Sequence, residues 1–237
     1  MIPKIIHYIW LGGKPLPKIA KKCFASWKKF CPDFEIKRWD ENSLNLEANK
    51  YVKQAFEAKK FAFASDYFRF EILYKEGGIY MDIDVELLKP IDDLLSSECF
   101  TGFETKNSIN PGLIIGAEKG NVDIKNLMNS YNNDNFLKQD NTQNLTTICE
   151  RTFLYFKEKG LKEKDETQKV STAKIYASEY FNPTNLSTQK IKITKNTYCI
   201  HHYNASWYSP LKKFKKGVKT FLNKITFGLF GKMFLKK

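Results

Sequence analysis

The sequence predicts an α/β domain whose sheet opens with parallel strands, and three observations carry that expectation. Residues 2–39 read as strand, amphipathic helix, strand. Residues 61–76 (FAFASDYFRFEILYKE) read as a helix that is apolar nearly all round, which signals burial. Gly77 and Gly78 supply a stop for that helix, and a short uncharged strand then runs into Asp82 and Asp84.

The elements follow in order. Residues 2–9 (IPKIIHYI) form a buried first strand that ends at Trp10 and a Gly12–Gly13 turn. Leu16, Ile19, Ala20, Cys23, Phe24 and Trp27 recur at helical spacing, predicting a helix over 16–30. Residues 34–39 alternate as a second strand, and 44–60 read as a polar-faced helix. After the aspartate pair, VELLKPIDDLL leads into a turn at Pro90. Strands are predicted at 98–103 and 113–117, separated by a polar loop over 104–112. Helices are predicted at 121–131 and 145–159, then a charged connection over 160–172. Late strands are predicted at 173–177 and within 190–200. No internal repeat is visible.

At 237 residues the chain is long enough for one good-sized core, read as a domain over 1–208 with an appendage over 209–237. Aromatic residues make up 15% of it, which argues for a folded globule and against disorder. Five cysteines without a CxxC pair argue against a disulfide framework or zinc ribbon, and fit the reduced thiols of a cytoplasmic protein. The opening MIPKIIHYIWLGG lacks a basic n-region and a small-residue cleavage site, so no signal peptide is expected. No apolar run reaches the roughly 18 residues a spanning helix needs.

The net charge is +13, and nine lysines with no acids lie between Leu211 and Lys237. The basic character therefore belongs largely to the tail and says little about the globule's ligand. In the tail, Leu211, Phe214, Val218, Phe221, Leu222, Ile225 and Leu229 recur at helical spacing among the lysines. That pattern predicts a basic amphipathic helix lying in an anionic membrane interface. Each lysine near such a surface contributes about 1 kcal/mol. The expected location is cytoplasmic, peripheral on the inner face of the cell membrane. Nucleic acid is not an expected partner, because no platform for bases is visible.

Asp82 and Asp84 flank Ile83. In a strand, alternate residues share a face, so both carboxylates would project together where the strand ends. Hard divalent cations prefer oxygen ligands, and Mg²⁺ or Mn²⁺ is often shared with a substrate's phosphates. Glu86 continues the alternation. On the preceding helix Asp66 and Arg69 are three apart and share a face. They are either a mutual buried ion pair or a pair aimed at a polyhydroxyl ligand, the carboxylate accepting and the guanidinium donating. Trp10, at the end of the first strand, is either core or a stacking platform for a nucleobase at the carboxyl edge of the sheet. His201 and His202, two of the chain's three histidines, fall together after a strand, and neutral imidazole is a common metal ligand.

These pieces in this order resemble a known family. IPKIIHYIWLGG, FASDYFRFEILYKEGGIYMDIDVELLK, INPGLIIGAEKG and IHHYNASW are similar to the bacterial members of glycosyltransferase family 32 (GT32). That family is related to the yeast initiating mannosyltransferase and to capsular polysaccharide synthesis proteins, and more distantly to the large clostridial glucosylating toxins. The resemblance runs from residue 2 to about residue 208. It implies a GT-A type, Rossmann-like nucleotide-sugar-binding fold with a mixed central sheet, a Mn²⁺ or Mg²⁺ ion, and retention of anomeric configuration. It also implies roles. Trp10 would stack on the base, Asp66 and Arg69 would hold the donor sugar, and Tyr80 would approach the diphosphate. Asp82 would touch ribose, sugar or metal-bound water, and Asp84 would bind the metal. His202 would be the third metal-side ligand, in preference to His201. Ser206 and Trp207 would close over the diphosphate, and Asn110 would join the donor side. Where the family pattern has Asn-Thr-Gly, this chain has Asn110-Pro111-Gly112, a stiffer loop.

The expected activity is transfer of a sugar from a nucleotide-sugar donor to a glycan acceptor, lipid-linked, in surface polysaccharide synthesis. A UDP-hexose or UDP-N-acetylhexosamine is the preferred donor, with GDP-mannose as the other choice. Two alternatives compete. A phosphatase of the haloacid dehalogenase type also uses DxDx[TV], here Asp82-Ile83-Asp84-Val85, but its nucleophile sits near the N-terminus and it leaves Asp66 and Arg69 unexplained. A non-catalytic sugar-nucleotide or membrane-binding module leaves the intact DxD without a purpose.

Overall fold

Strand β1 (Ile5–Ile9), helix α1 (Lys18–Phe30) and strand β2 (Glu35–Trp39) form the expected opening unit. Ile5 pairs with Glu35 and Ile9 with Trp39 in parallel register. The computed structural model describes residues 1–185 and 188–204. Ser206, Trp207 and the basic tail lie outside the described residues. Met1–Tyr203 forms one compact unit.

Helix α2 (Lys50–Glu57) starts at Asn49, whose side chain accepts from the Val52 amide and caps it. Residues 44–49, expected to be helical, are turns ahead of that cap. Helix α3 (Phe61–Glu76) spans the residues its apolar pattern predicts. It packs between α2 and α4 (Val122–Asn129) and lies over β1, β3 (Gly78–Tyr80) and β7 (Ile115–Ala117). Contact on all sides explains an apolar circumference. Downstream come β4 (Val85–Leu87), a 3-10 turn at Asp92–Ser96, β5 (Cys99–Thr105) and β6 (Ser108–Ile109). Helix α5 (Ile148–Glu158), β8 (Gln168–Val170), β9 (Ala173–Tyr176), α6 (Ser178–Phe181) and β10 (Cys199–His201) complete the described chain.

The main sheet runs β2-β1-β3-β7-β5-β9-β8, with β6 hydrogen-bonded to β5. β2, β1 and β3 are mutually parallel, β7 is antiparallel to both β3 and β5, and β5 and β9 are parallel again. This is the mixed sheet that the resemblance implies. One face carries α2 to α5 around Tyr51, Phe68, Phe103 and Phe136. The other carries α1, the 3-10 turn and α6 around Trp27, Phe100 and Phe181. A separate antiparallel pair, β4 with β10, brings the end of the described chain back beside the aspartate pair.

Most of 190–200 is not strand. Ile191 and Ile193 are exposed, and among the described residues those from Lys190 to Tyr198 make one isolated bridge, Ile191 with Thr184, and no ladder. Alternation without a neighbouring strand leaves backbone groups to water, so no ladder forms.

The two glycines after α3 have separate reasons to be glycine. Gly77 caps the helix at φ +70° and Gly78 enters β3 at φ +97°, both in the region that disfavours side chains. A Cβ on Gly78 would stand 2.9 Å from both His7 Nε2 and the Ile5 carbonyl oxygen. The fully buried His7 fills that space. Trp39 Nε1 donates to His7 Nδ1 at 3.1 Å, so Nε2 carries the proton and donates to the Gly77 carbonyl at 2.9 Å. Burial holds the His7 pKa down, which keeps the ring in that neutral form.

Candidate active site

Because β1 and β3 are parallel, with His7 opposite Tyr80, their carboxyl ends open on the same edge of the sheet. Trp10 follows one and Asp82 the other, at the edge where open α/β sheets bind ligands. Trp10 is half-buried against the α1 side, and its indole N–H donates to the Lys14 carbonyl.

Arg69 is the centre of a buried charge cluster. Its Nη2 lies 3.2 Å from Asp66 Oδ1 and 3.3 Å from Asp82 Oδ1. Its guanidinium carbon stands 4.9 Å from the centre of the Tyr80 ring, and the Tyr80 hydroxyl donates to Asp82 Oδ1 at 2.9 Å. The Asp66–Arg69 ion pair therefore exists, and it reaches across to the aspartate pair. Arg69 and Asp66 are both 7% exposed. The Asp66 pKa stands raised, at about 7: burial pushes it up, Arg69 pulls against that, and Asp82 raises it.

The aspartate pair does not lie in a strand. β3 ends at Tyr80, and the Val85 amide donates to the Asp82 carbonyl at 3.0 Å, which closes a turn over 82–85. The turn, rather than strand alternation, brings the two carboxylates together. One ligand atom from each of Asp82, Asp84 and His201 falls within 4.8 Å of the others.

The histidine choice is reversed. His201 pairs opposite Val85 in β10–β4, and its Nε2 meets Asp84 Oδ1 at 3.0 Å. His202 is turned away: its Nε2 meets Glu86 Oε2 at 2.8 Å, and Lys22 Nζ meets the same oxygen at 2.7 Å. Successive side chains at a strand end point to opposite sides, so one of two adjacent histidines reaches the aspartates. Glu86 is accordingly held by Lys22 and His202 instead of extending the aspartate pair. The buried His201 Nδ1 has no hydrogen-bond partner among the described residues. Burial lowers the His201 pKa, but the Asp84 carboxylate outweighs that and the net shift is upward.

Two carboxylates and an imidazole form a donor set that suits Mn²⁺ or Mg²⁺, imidazole favouring the former. The orphaned, buried Nδ1 adds to the fit, because a buried polar nitrogen without a partner is costly.

Asn110 is buried next to this cluster. Its Oδ1 accepts from the Gly112 amide at 2.8 Å, and its Nδ2 donates to Glu104 Oε1 at 2.9 Å. The Gly112 carbonyl in turn accepts from the Asp82 amide at 3.0 Å. A Cβ on Gly112 would stand 2.4 Å from Asp82 Oδ2 and 2.9 Å from Arg69 Nη1. Gly112 and Glu104 thus belong to the site, although the sequence reading gives neither a role there. A glycine in a polar loop and a single glutamate carry no local signal of that kind.

Residues 17–101 match the family model described as a glycosyltransferase sugar-binding region containing a DXD motif. The match takes in Asp66, Arg69, Asp82 and Asp84. The chain is 28% identical over 226 residues to an uncharacterized glycosyltransferase of Acanthamoeba polyphaga mimivirus, covering 91% of this chain and 87% of that one. It is 30% identical over 126 residues to the initiation-specific alpha-1,6-mannosyltransferase of Candida albicans, which covers 49% of this chain and 32% of that one. The chain therefore spans about a third of the yeast protein. The solved PaToxG glycosyltransferase shares the fold with a TM-score of 0.51 at 20% identity, covering 66% of this chain and 68% of that one. The fold is of the GT-A type, and the sequence likenesses support a GT32-type glycosyltransferase.

Proposed function

We propose that this chain is a GT32-type glycosyltransferase that moves a hexose from a nucleotide-sugar donor to a glycan acceptor with retention of anomeric configuration, using Mn²⁺ or Mg²⁺. One observation carries the reading. A candidate cation cluster of Asp82, Asp84 and His201 touches, through Asp82, the buried Arg69–Asp66 pair at the carboxyl edge of the sheet.

Asp82, Asp84 and His201 would hold the cation. When bound, it supplies a Lewis acid against the negative charge that develops on the leaving diphosphate. Asp66 accepts from, and Arg69 donates to, hydroxyls of the donor sugar. Tyr80 keeps Asp82 oriented through its hydroxyl. Trp10 offers its ring to the nucleobase. As the sugar–phosphate bond breaks, the acceptor oxygen bonds to the anomeric carbon on the same face. Its proton passes to an oxygen of the leaving phosphate.

For the donor we favour a UDP-hexose or UDP-N-acetylhexosamine. The likeness to a protein named as a mannosyltransferase favours a second reading, with GDP-mannose. A panel of UDP- and GDP-sugars with Mn²⁺, scored for nucleotide release, tests both. Release from at least one donor, lost on chelation, is the expected result. No release from any donor removes the transferase reading, and a trapped covalent sugar–protein adduct overturns the direct proton transfer to phosphate.

The acceptor in this reading is lipid-linked, in surface polysaccharide synthesis at the inner face of the cell membrane, reached through the basic residues between Leu211 and Lys237. The alternation of lysines with apolar residues supports that attachment. Full-length protein is expected to co-sediment with anionic vesicles, and a form ending at residue 210 to remain in the supernatant. Equal sedimentation of the two forms would remove the tail from the proposal.

A further inference from the structure

We propose that Glu104 and Tyr203 form a clasp that sets His201 for a divalent cation; this rests on reading Asp82, Asp84 and His201 as a metal site. A metal-binding histidine ordinarily has its second ring nitrogen fixed by a hydrogen bond, which orients the ring. No group outside the cation cluster gives His201 that support among the described residues: its Nε2 meets Asp84, and its buried Nδ1 has no partner. What lies against its ring is Tyr203, with centroids 4.2 Å apart and planes tilted by 45°.

Tyr203 is itself in an unusual state. Its φ is +48°, an outlier for a bulky residue. Such a conformation persists where the surroundings over-determine it, and it concentrates at functional sites. The Tyr203 hydroxyl donates to Glu104 Oε1 at 2.9 Å, across 99 residues of sequence. Glu104 also accepts from Asn110 Nδ2 at 2.9 Å and from Ser108 Oγ at 3.2 Å. The contacts then close into a circuit. Asp82 bonds to Gly112, Gly112 to Asn110, Asn110 to Glu104 and Glu104 to Tyr203. Tyr203 lies on His201, and His201 bonds to Asp84. Glu104 is the one carboxylate of the circuit outside the cation cluster, and it ties the 104–112 loop to the segment after β10. Glu104 and Tyr203 are positioning residues in this arrangement, and they act through His201.

The test is titration of the full-length chain with Mn²⁺ alone, read from the paramagnetic resonance of the free ion. Tyr203→Phe keeps the ring and loses the bond to Glu104, and weakens Mn²⁺ binding by about 10-fold. Tyr203→Ala loses both and weakens it towards about 100-fold, the range for removing an orienting partner of a ligand. His201→Ala combined with Tyr203→Ala binds about as weakly as His201→Ala alone, because Tyr203 touches the cluster directly only at the His201 ring. Melting curves in chelator separate this role from general stability. Variants that melt earlier but bind Mn²⁺ like the parent overturn the clasp, as does an additive double variant. A parent protein that binds Mn²⁺ while both Tyr203 variants match it removes the clasp alone. A parent with no saturable Mn²⁺ binding removes the metal reading and the clasp with it.

Discussion

Replacing Arg69 by methionine lowers the stability of the metal-free protein by about 3–5 kcal/mol, the cost of leaving a buried charge unpaired. Methionine restores much of the volume, so the loss is electrostatic. Arg69 faces both Asp66 and Asp82, and without it two carboxylates remain in the interior with no cation between them. The sign of the pH dependence follows. Burial raises the Asp66 pKa to about 7, and Arg69 acts to lower it, so removing Arg69 moves it higher still. An unfolded aspartate titrates near about 3.9. A carboxyl whose folded pKa is raised contributes stability that is full below the unfolded pKa and is lost as pH rises through the folded one. The deficit of Arg69→Met is therefore smaller near about pH 5 than near about pH 8. Urea unfolding of both proteins in chelator at the two pH values measures it. A deficit that is the same at both, or below about 1 kcal/mol, contradicts a buried three-residue cluster.

Asp84→Asn slows sugar transfer by about 10²–10³, the range for removing one electrostatic partner of a developing charge. The fold survives, because asparagine has the same shape and its carbonyl oxygen still accepts from His201 Nε2. The half-saturating Mn²⁺ concentration rises together with the fall in kcat. Glu86→Gln provides the contrast. It stands two residues on, but its carboxylate is held by Lys22 and His202, so its removal leaves the Mn²⁺ requirement unchanged. Initial rates against Mn²⁺ for the two variants decide the matter. An Asp84→Asn protein that turns over at the parental rate would falsify the metal role of the DxD pair.

What was legible in the sequence was what local pattern controls. α3 is readable to its ends because sixteen consecutive residues are apolar nearly all round the helix and a glycine with positive φ stops them. Asp66 and Arg69 could be placed on one face from their spacing, and they do meet. The bond from Arg69 to Asp82 could not be read, because it depends on how a loop leaves the sheet. The expectation that Asp82 and Asp84 lie in a strand failed for a related reason. β4 is a strand because residues 199–201 pair with it, so the break before it is set by a partner far along the chain. The same pairing decides between two adjacent histidines whose chemistry is identical on paper. β6, β8 and α6 are two to four residues long, too short for any period to emerge.

The β4–β10 pair also imposes an order of assembly. Asp84 and His201 lie 117 residues apart, so closing the cation cluster draws in nearly half the polypeptide. The entropy of such closure grows only slowly with length, by about 0.6 kcal/mol per doubling. Its effect is kinetic, since distant pairings form late. A ribosome-bound chain that has emerged only through α5 already contains Asp66, Arg69 and both aspartates. His201, the imidazole that meets Asp84, is not yet part of it. The candidate cation cluster is therefore complete only once the final described strand has been made.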